Sequence, residues 1–440
     1  MLTLSNACLY DLWVANSVPM VPTNGVWPTF SEKHILEFTA GTAVEPQASS
    51  ALNTQDALTY LSRIQSFLDL LETLSEDEYA CKPQYVAFEQ ERLATYQLFI
   101  KTQDPVAMSS LNDRLYGRLV DMHAANAVGH LSGYVHDLEP ASSDVADAQA
   151  LLLAAWTSPV PQGTVTRQME AINHYRLALR AYVSEQFGFV KEAVEPFELK
   201  PRLTSEDVAQ VLNQAIVKVL GDSSDWSAVV LPGKPNVFVN LHERTVTIPQ
   251  GRFYSMDAAA TLAIHEVGVH AQRAAHGAHS LEKLAGVGLP GYGPTEEAFG
   301  VLLGNASHQK YHQINSLIPF AVIDYASQVD TPSFRKVYQF ARALIICLAN
   351  PTEETYKRKL ADFERAAFSR TIRVLRMGTG GIIERSTTKY WNGQLLLCKY
   401  FDTHGTSNAT ITQFLLGKYD CFNQSQLELI KYHTNRSRHA

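Results

Sequence analysis

The stretch Thr261-Leu-Ala-Ile-His265-Glu266-Val-Gly268-Val-His270-Ala-Gln-Arg-Ala-Ala-His276-Gly277 constrains this chain more than any other. It reads as a helix. Ser255 is placed to cap it, Ala258 to Ala260 are strong helix formers, and Gly277 is placed to end it. Ile264, Val267 and Val269 make its surroundings apolar. Ionisable groups in such surroundings need partners, because an unpaired charge out of water is costly. A fold that buries this helix must therefore also satisfy His265, Glu266 and His270.

The spacing of the two histidines is informative. In the His-Glu-x-x-His pattern of zinc proteases they lie four apart, on one helical face, with the glutamate as general base. Here they lie five apart. A regular α-helix would set the second roughly 140° from the first. A one-residue π-bulge restores a common face. Gly268, inside the interval, makes such a distortion cheaper. A lone His-Glu pair on a helix is ordinarily just that, so a second feature has to tip the balance.

That feature is Pro294-Thr295-Glu296-Glu297-Ala298-Phe299-Gly300, which follows the connector Gly286-Val-Gly288-Leu-Pro290-Gly291-Tyr-Gly293. Thr295 is suited to cap a new helix through Val301, Leu302 and Leu303. A carboxylate in its first turn would be positioned to face the histidines. Acids in a first turn also suit the helix dipole without any further role. Joined to the histidine helix, however, the acid completes the three-ligand set of a catalytic metal site, with the fourth position open to water.

His-Glu-x-x-x-His followed by Pro-Thr-Glu-Glu resembles the tyrosine carboxypeptidase family of zinc metallopeptidases. That family includes the microtubule-associated tyrosine carboxypeptidases and bacterial relatives with a Gln-Glu-Gly-Leu-Ala motif. The resemblance implies one Zn²⁺ held by His265, His270 and Glu297, with Glu266 as the catalytic residue. Glu297 rather than Glu296 matches the family's glutamate, since the preceding position in the bacterial form is glutamine. The chain departs from the family in reading Ala298-Phe299-Gly300 for Gly-Leu-Ala. The paired motifs cover about 40 residues, the interval from His265 to Gly300 with its immediate flanks.

The chain has 440 residues, 46% of them hydrophobic, enough for one large or two medium globular domains. A net charge of −7 argues against a nucleic-acid binder driven by bulk charge. It also offers no obvious basic dock for an acidic tubulin tail, so that role of some relatives is not carried over. The cysteines, Cys8, Cys81, Cys347, Cys398 and Cys421, are scattered and odd in number, which fits buried thiols in a reducing compartment. The first 30 residues lack lysine and arginine and are interrupted by Asp11, unlike a signal peptide. No apolar run is long enough to span a membrane. The expectation is a cytoplasmic protein.

In order, residues 1–50 read as an irregular N-terminal arm and 51–200 as a helical scaffold. Within the scaffold, helices are expected over 52–102, broken at Ser75-Glu-Asp-Glu, and over Pro105–Val128, Val145–Trp156 and Thr166–Phe187. Gly129 and Gly133 read as turns. His174 has no matching ligand nearby and reads as an ordinary histidine. Residues 201–310 read as the zinc-binding catalytic core. It begins with a helix over 200–220 capped at Thr204 or Ser205. A strand follows at Trp226–Leu231, then a hairpin of Asn236–Leu241 and Thr245–Ile248, then the histidine helix. Such a sheet either offers its edge to an extended substrate or merely covers the helix. Residues 311–440 read as a C-terminal helical part completing the cleft, with helices over Ile314–Val329, Ser333–Leu348, Thr352–Ser369 and within 395–430.

The expected architecture is α+β, mainly α-helical, with a zincin-like core and a small β-sheet over the active-site helix. The expected activity is that of a zinc metallocarboxypeptidase acting on a peptide or protein C-terminus, aromatic if the family preference holds. The alternatives are a zinc aminopeptidase or dipeptidyl-peptidase, and a non-catalytic zinc-bearing scaffold. A carboxypeptidase needs a cation for the substrate carboxylate, and arginine binds one in a planar, bidentate way. Arg373, Arg376, Arg385 and Lys389 are the candidates, and Tyr390 is placed to donate to a developing oxyanion. Gly378-Thr-Gly380-Gly381 is a loop without the lysine and hydroxyl of a phosphate loop.

Overall fold

The computed structural model describes residues 38, 54–74, 76, 79–102, 124–156, 163–232, 236–241, 243–280, 282, 284–306, 314, 317–328, 333–375 and 389–429. The sequence expectations for Pro105 to residue 123, Arg376, the 378–381 glycine loop and Arg385 lie outside these residues, as does all of the N-terminal arm except Phe38. Phe38 is fully buried, edge-on to Phe334, Tyr338 and Phe368, with the Arg335 guanidinium over its ring.

The scaffold begins with α1 (Thr54–Thr73) and α2 (Lys82–Thr102). Ile64, Phe67, Leu68 and Leu71 bury one face of α1, and Phe67 meets Tyr85 of α2 edge-on. Leu58, off that face, is exposed. Next come α3 (Ala124–His136) and α4 (Ser143–Ala155), the latter capped by the Ser142 hydroxyl. Gly129 and Gly133 do not turn the chain. They lie buried inside α3, where it packs on its neighbours, and that packing overrides their poor helix propensity. The helix expected over Thr166–Phe187 is two helices, α5 (Gly163–Ala178) and α6 (Arg180–Gln186), separated at the buried Leu179. The short α7 (Phe189–Val194) follows.

The mixed region opens with β1 (Leu203–Thr204) and α8 (Ser205–Leu220). Thr204 caps α8 in a full capping box with Asp207, satisfying two backbone donors reciprocally. Then come β2 (Ser227–Leu231), β3 (Phe238–Asn240), β4 (Thr245–Pro249) and β5 (Phe253–Tyr254). The hairpin is present: β3 and β4 pair antiparallel. Arg244 at its turn adopts a positive φ of 49° and is ion-paired with Asp225. The strand before it, β2, pairs parallel with β4, giving the order β2-β4-β3, while β1 pairs with β5 in a separate ribbon. Asn213 of α8 locks the sheet down by bonding both the amide and the carbonyl of Ala228.

The histidine helix runs as α9 (Met256–Leu262), a π-helical stretch Ala263–Ala271, and α10 (Gln272–His279). Ser255 caps it, its hydroxyl accepting from the Ala258 amide at 3.1 Å. Gly277 does not end it. A methyl there would come within 2.4 Å of the Ala285–Gly286 backbone, so this glycine serves the close approach of α11 (Leu284–Val287). Next is α12 (Tyr292–Ala306), which starts earlier than Thr295. Thr295 therefore lies inside the helix, bonded to Cys421 through its hydroxyl, rather than capping it.

The remaining helices are α13 (Ile318–Gln328), α14 (Phe334–Ala349), α15 (Glu353–Val374), α16 (Lys389–His404) and α17 (Asn408–Phe414). Ser333 and Thr352 cap α14 and α15, and α15 runs past Ser369 through Arg373. α13 begins at Ile318, after the start expected at Ile314. Gly393 lets α16 lie directly against α12: a methyl there would meet the Pro294 carbonyl at 2.2 Å. The architecture is mainly helical with small sheets. Among the described residues no helix is long and apolar enough to cross a membrane. Cys81, Cys347, Cys398 and Cys421 are buried free thiols.

Candidate metal centre

The π-helical stretch does what the histidine spacing requires. With bonds reaching five residues back, each turn holds more residues, so a residue five along returns close to the same face. The distortion is larger than a one-residue bulge: it covers nine residues, Ala263–Ala271. The Phe187 ring sits where a side chain at position 268 would point, within 2.5 Å of an ideal methyl. Gly268 is thus required by packing as well as by backbone freedom. The result sets the His265 and His270 rings 4.7 Å apart at 74°.

The first turn of α12 supplies the acids. Glu297 Oε2 lies 3.9 Å from Nε2 of His265 and 3.9 Å from Nε2 of His270. His265, Glu266 and His270 also offer ligand atoms within 4.8 Å of one another. Four groups therefore converge, two imidazoles and two carboxylates. Between Glu266 and Glu297, the latter has the ligand-like placement, because one oxygen is equidistant from both ring nitrogens. Donors around a tetrahedral Zn²⁺ sit about 3.4 Å from each other, given bonds of about 2.0–2.1 Å, so Glu297 Oε2 needs to close by about half an ångström on each ring nitrogen. Two nitrogens and one oxygen match the His₂Glu set of catalytic zinc sites.

Glu296, one residue earlier, points to the other side of His270. The His270 Nδ1–H donates to Glu296 Oε1 at 2.6 Å. This hydrogen bond fixes the tautomer and leaves Nε2 free as an acceptor, the usual arrangement behind a metal-bound histidine. Lys418 Nζ donates to the same oxygen at 3.0 Å, and Arg273 Nη1 to the other oxygen at 3.3 Å. Arg273 is fully buried, and its Nε and Nη2 donate to the carbonyls of Gly417 and Tyr419. The 417–419 segment is held in turn by Lys418 N to Ala285 O at 2.6 Å and Leu289 N to Lys418 O at 2.8 Å.

The electrostatics follow from burial and these partners. Burial and the neighbouring His270 push His265 down to about 4, against the pull of Glu297 and the Gly300 carbonyl. Burial pushes Glu266 up to about 7, with Glu297 and Glu296 adding to it and His270 and Lys418 opposing. Burial would lower His270, but Glu296 outweighs it and raises the imidazole. For Glu296 burial acts upward too, yet Lys418, His270 and Arg273 hold the carboxyl well below the usual carboxylate range.

Gly300 lets α12 reach the centre. A methyl there would meet the His265 ring at 2.8 Å. At the far end of α12, Arg176 and Arg180 donate to the carbonyls of Asn305 and Ala306, satisfying terminal acceptors. The connector before α12 is pinned from the scaffold, where Tyr85 donates to Gly288 O at 2.6 Å. Near it, Glu282 accepts from the amides of Cys81 and Leu284.

Of the expected residues, His265, Glu266, His270 and Glu297 come together. Arg373 stands in the last turn of α15, half-buried, lining a cleft with Pro319, Val322, Arg370 and Val374. Lys389 begins α16, and its side chain lies outside the described residues. Tyr390 follows it, half-buried and close enough to Arg370 for their charges to interact. His174 is exposed, its ring against Tyr175. Sequence reading passed over Glu296 as a partner of His270, and also Arg273, Lys418, Gly300 and Arg370. Arg273 carried a usable signal, a cation three residues after His270 in an apolar helix; Lys418 carried none. No protein-family model, curated protein or solved structure matches the chain.

Proposed function

We propose that the chain is a zinc-dependent metallopeptidase, most simply a carboxypeptidase. The observation that carries this reading is Glu297 Oε2 lying 3.9 Å from both histidine Nε2 atoms, with Glu266 buried beside them. His265, His270 and Glu297 hold one Zn²⁺, which when bound supplies Lewis acidity and makes water a nucleophile near neutral pH. Glu266 accepts the proton of the attacking water and delivers it to the leaving amine. Burial raises the Glu266 carboxyl in the metal-free chain, and a bound Zn²⁺ beside it would favour the charged form that accepts a proton. Glu296 holds His270 in the tautomer that leaves Nε2 free.

The extended substrate lies beside β3, an edge of the three-stranded sheet that packs against the π-helical stretch. Strand addition would lay the peptide main chain along that edge. Release of a C-terminal, aromatic residue is what the family resemblance adds. The test is mass spectrometry of peptides with varied C-termini, incubated with zinc-loaded protein and with Glu266→Gln. Loss of one C-terminal residue that needs Glu266 supports the reading. Trimming from the N-terminus would replace it with an aminopeptidase. Turnover by a zinc-loaded Glu266→Gln protein would remove Glu266 as the base.

A further inference from the structure

A π-helical stretch of nine residues is a rare conformation, and rare backbone conformations persist where the surrounding structure holds them. The change of winding lies inside Ala263–Ala271. At its start the Ala263 amide reaches Ala259, four residues back; just past its end the Gln272 amide reaches Val267, five back. The flanks are anchored. Ser255 caps α9, and α7 packs against α9 and α8. Beyond His270, Arg273 is tied to Gly417 and Tyr419. Between these anchors stands Phe187. Apart from the helix backbone and the chain neighbours of Gly268, the three atoms nearest to where its methyl would stand are Cε1, Cζ and Cδ1 of that ring, at 2.5, 2.8 and 3.3 Å.

The ring is itself fixed. Phe187 is 4% exposed and closes α6, its amide donating to Val183 O at 2.8 Å and its carbonyl accepting from the Val190 amide at 3.0 Å. Gly188 permits this turn, since a methyl there would meet the Ser184 carbonyl at 2.6 Å. The Tyr182 ring lies edge-on, 6.4 Å away. Its placement suits one winding of the histidine helix. An α-helix advances roughly 100° per residue and a π-turn roughly 80°. Counted from His265, α winding sets residue 268 roughly 60° away and His270 roughly 140° away. π winding returns His270 to within roughly 40° and swings residue 268 out to roughly 120°, which is the side the ring occupies. Relaxation to α winding would turn the branched Val267 roughly 40° toward that side, into the path of the ring.

We propose that Phe187 is a positioning residue of the metal centre: its ring, seated on Gly268, holds the histidine helix in the wide winding that turns His265 and His270 toward one ion. The role rests on the metal-site reading; the contact does not.

The experiment compares the full-length native chain with Phe187→Ala, Phe187→Leu and, as a control, Phe340→Ala, which truncates a fully buried ring in α14. Zinc affinity is read by competition with a chromophoric chelator, ligand geometry by the visible absorption of bound cobalt(II), and stability by melting of the metal-free proteins. Phe187→Ala should bind zinc about 10–100-fold more weakly, as when support behind metal ligands is lost, and its cobalt bands should shift. Phe187→Leu, which keeps part of the wedge, should recover most of that affinity. Phe340→Ala should melt lower yet bind zinc as the native chain does. Gly268→Ala probes the same contact from the helix side. It should weaken zinc binding in the native chain and do so clearly less in Phe187→Leu, where the ring atoms it meets are gone. This pair decides the matter even where Phe187→Ala does not fold. Native zinc affinity and an unchanged cobalt spectrum in Phe187→Ala overturn the proposal, leaving Phe187 as core packing alone. Equal losses from Gly268→Ala in both backgrounds do the same. A native chain that binds no zinc strikes the metal reading and this inference together, whereas equal affinity in native chain and variants strikes this inference alone.

Discussion

Nδ1 of His270 lies 2.6 Å from Oε1 of Glu296, and the same carboxylate is gripped by Lys418 and Arg273. Glu296 is thus the hub of a buried network with one anion, two permanent cations and one imidazole. Glu296→Ala should lower zinc affinity about 10–100-fold, the usual effect of losing a partner behind a metal-bound histidine. It should also destabilise the fold by about 3–5 kcal/mol, because Lys418 and Arg273 are left buried without their counter-charge. Glu296→Gln keeps an acceptor for the His270 N–H but not the charge. It should retain more zinc affinity than the alanine variant while losing comparable stability. Zinc competition with a chromophoric chelator and thermal melts of the metal-free proteins separate the two effects.

Gly300→Ala should damage the same centre from the opposite side. Its methyl would stand 2.8 Å from the His265 ring, so ring or helix must shift. Overpacking of this kind costs about 1–3 kcal/mol. The zinc titration should weaken with it, whereas Gly405→Ala, at a glycine with nothing near its would-be methyl but a positive φ, should lower stability and leave zinc binding unchanged. Equal zinc affinity in native protein and Gly300→Ala would show that His265 is not held by this contact.

Zinc removal should leave a folded but less stable chain. A ligand that binds only the folded state adds about 2.7 kcal/mol at 100 times its Kd, so melting temperature should rise with added zinc and fall with a chelator. His265→Ala and His270→Ala should each abolish most of that response. A melting temperature indifferent to zinc would count against a metal site altogether.

Glu282 offers a pH dependence removed from the metal ligands. Burial raises its carboxyl to about 7, although the amides of Cys81, Leu284 and Ala80 favour the charged form. The folded value exceeds the unfolded one, about 4.3, so between them the folded chain binds more protons. Stability from this group is therefore full below about pH 4.3 and is lost as pH rises through about 7, by about 4 kcal/mol. Glu282→Gln should flatten that decline. Denaturant titrations from pH 5 to 8 check it, and parallel slopes for both proteins would exclude Glu282 as the source.

Much of the centre was legible because it is written locally. Five-residue histidine spacing in an apolar helix demands a π-type distortion, and the helix has one. Ser255 and Thr204 announced helix starts through their side-chain acceptors, and the helices expected from Ser333 and Thr352 begin with those residues as caps. What stayed hidden depends on contacts distant in sequence. Gly277 resembled a terminator because glycine favours helix ends, yet its use is to admit the backbone of α11. Gly129 and Gly133 misled for the same reason. Glu296 and Glu297 are neighbours about 100° apart on a helix, and only the tertiary fold says which one faces the histidine Nε2 atoms and which supports His270 from behind. The parallel pairing of β2 with β4 left no trace in a pattern that equally suits an antiparallel sheet.

Lys418 has a consequence for biosynthesis. The residues that it and Arg273 tie together are separated along the chain by more than 120 positions, from Glu296 to Lys418. At about 5–20 residues added per second, translation needs roughly 6–24 s to cover that interval. Throughout it, Glu296 can meet His270 and Arg273 but not its second cation, and Arg273 has no carbonyls from Gly417 and Tyr419 to bond. The nascent chain can build the histidine helix and the first turn of α12 early, yet it cannot bring the second cation to the acid behind His270 until residue 418 has left the ribosome. Maturation of this centre therefore waits on synthesis through residue 419, and a product terminated before residue 417 would carry every metal-facing side chain and still lack the charge that steadies them.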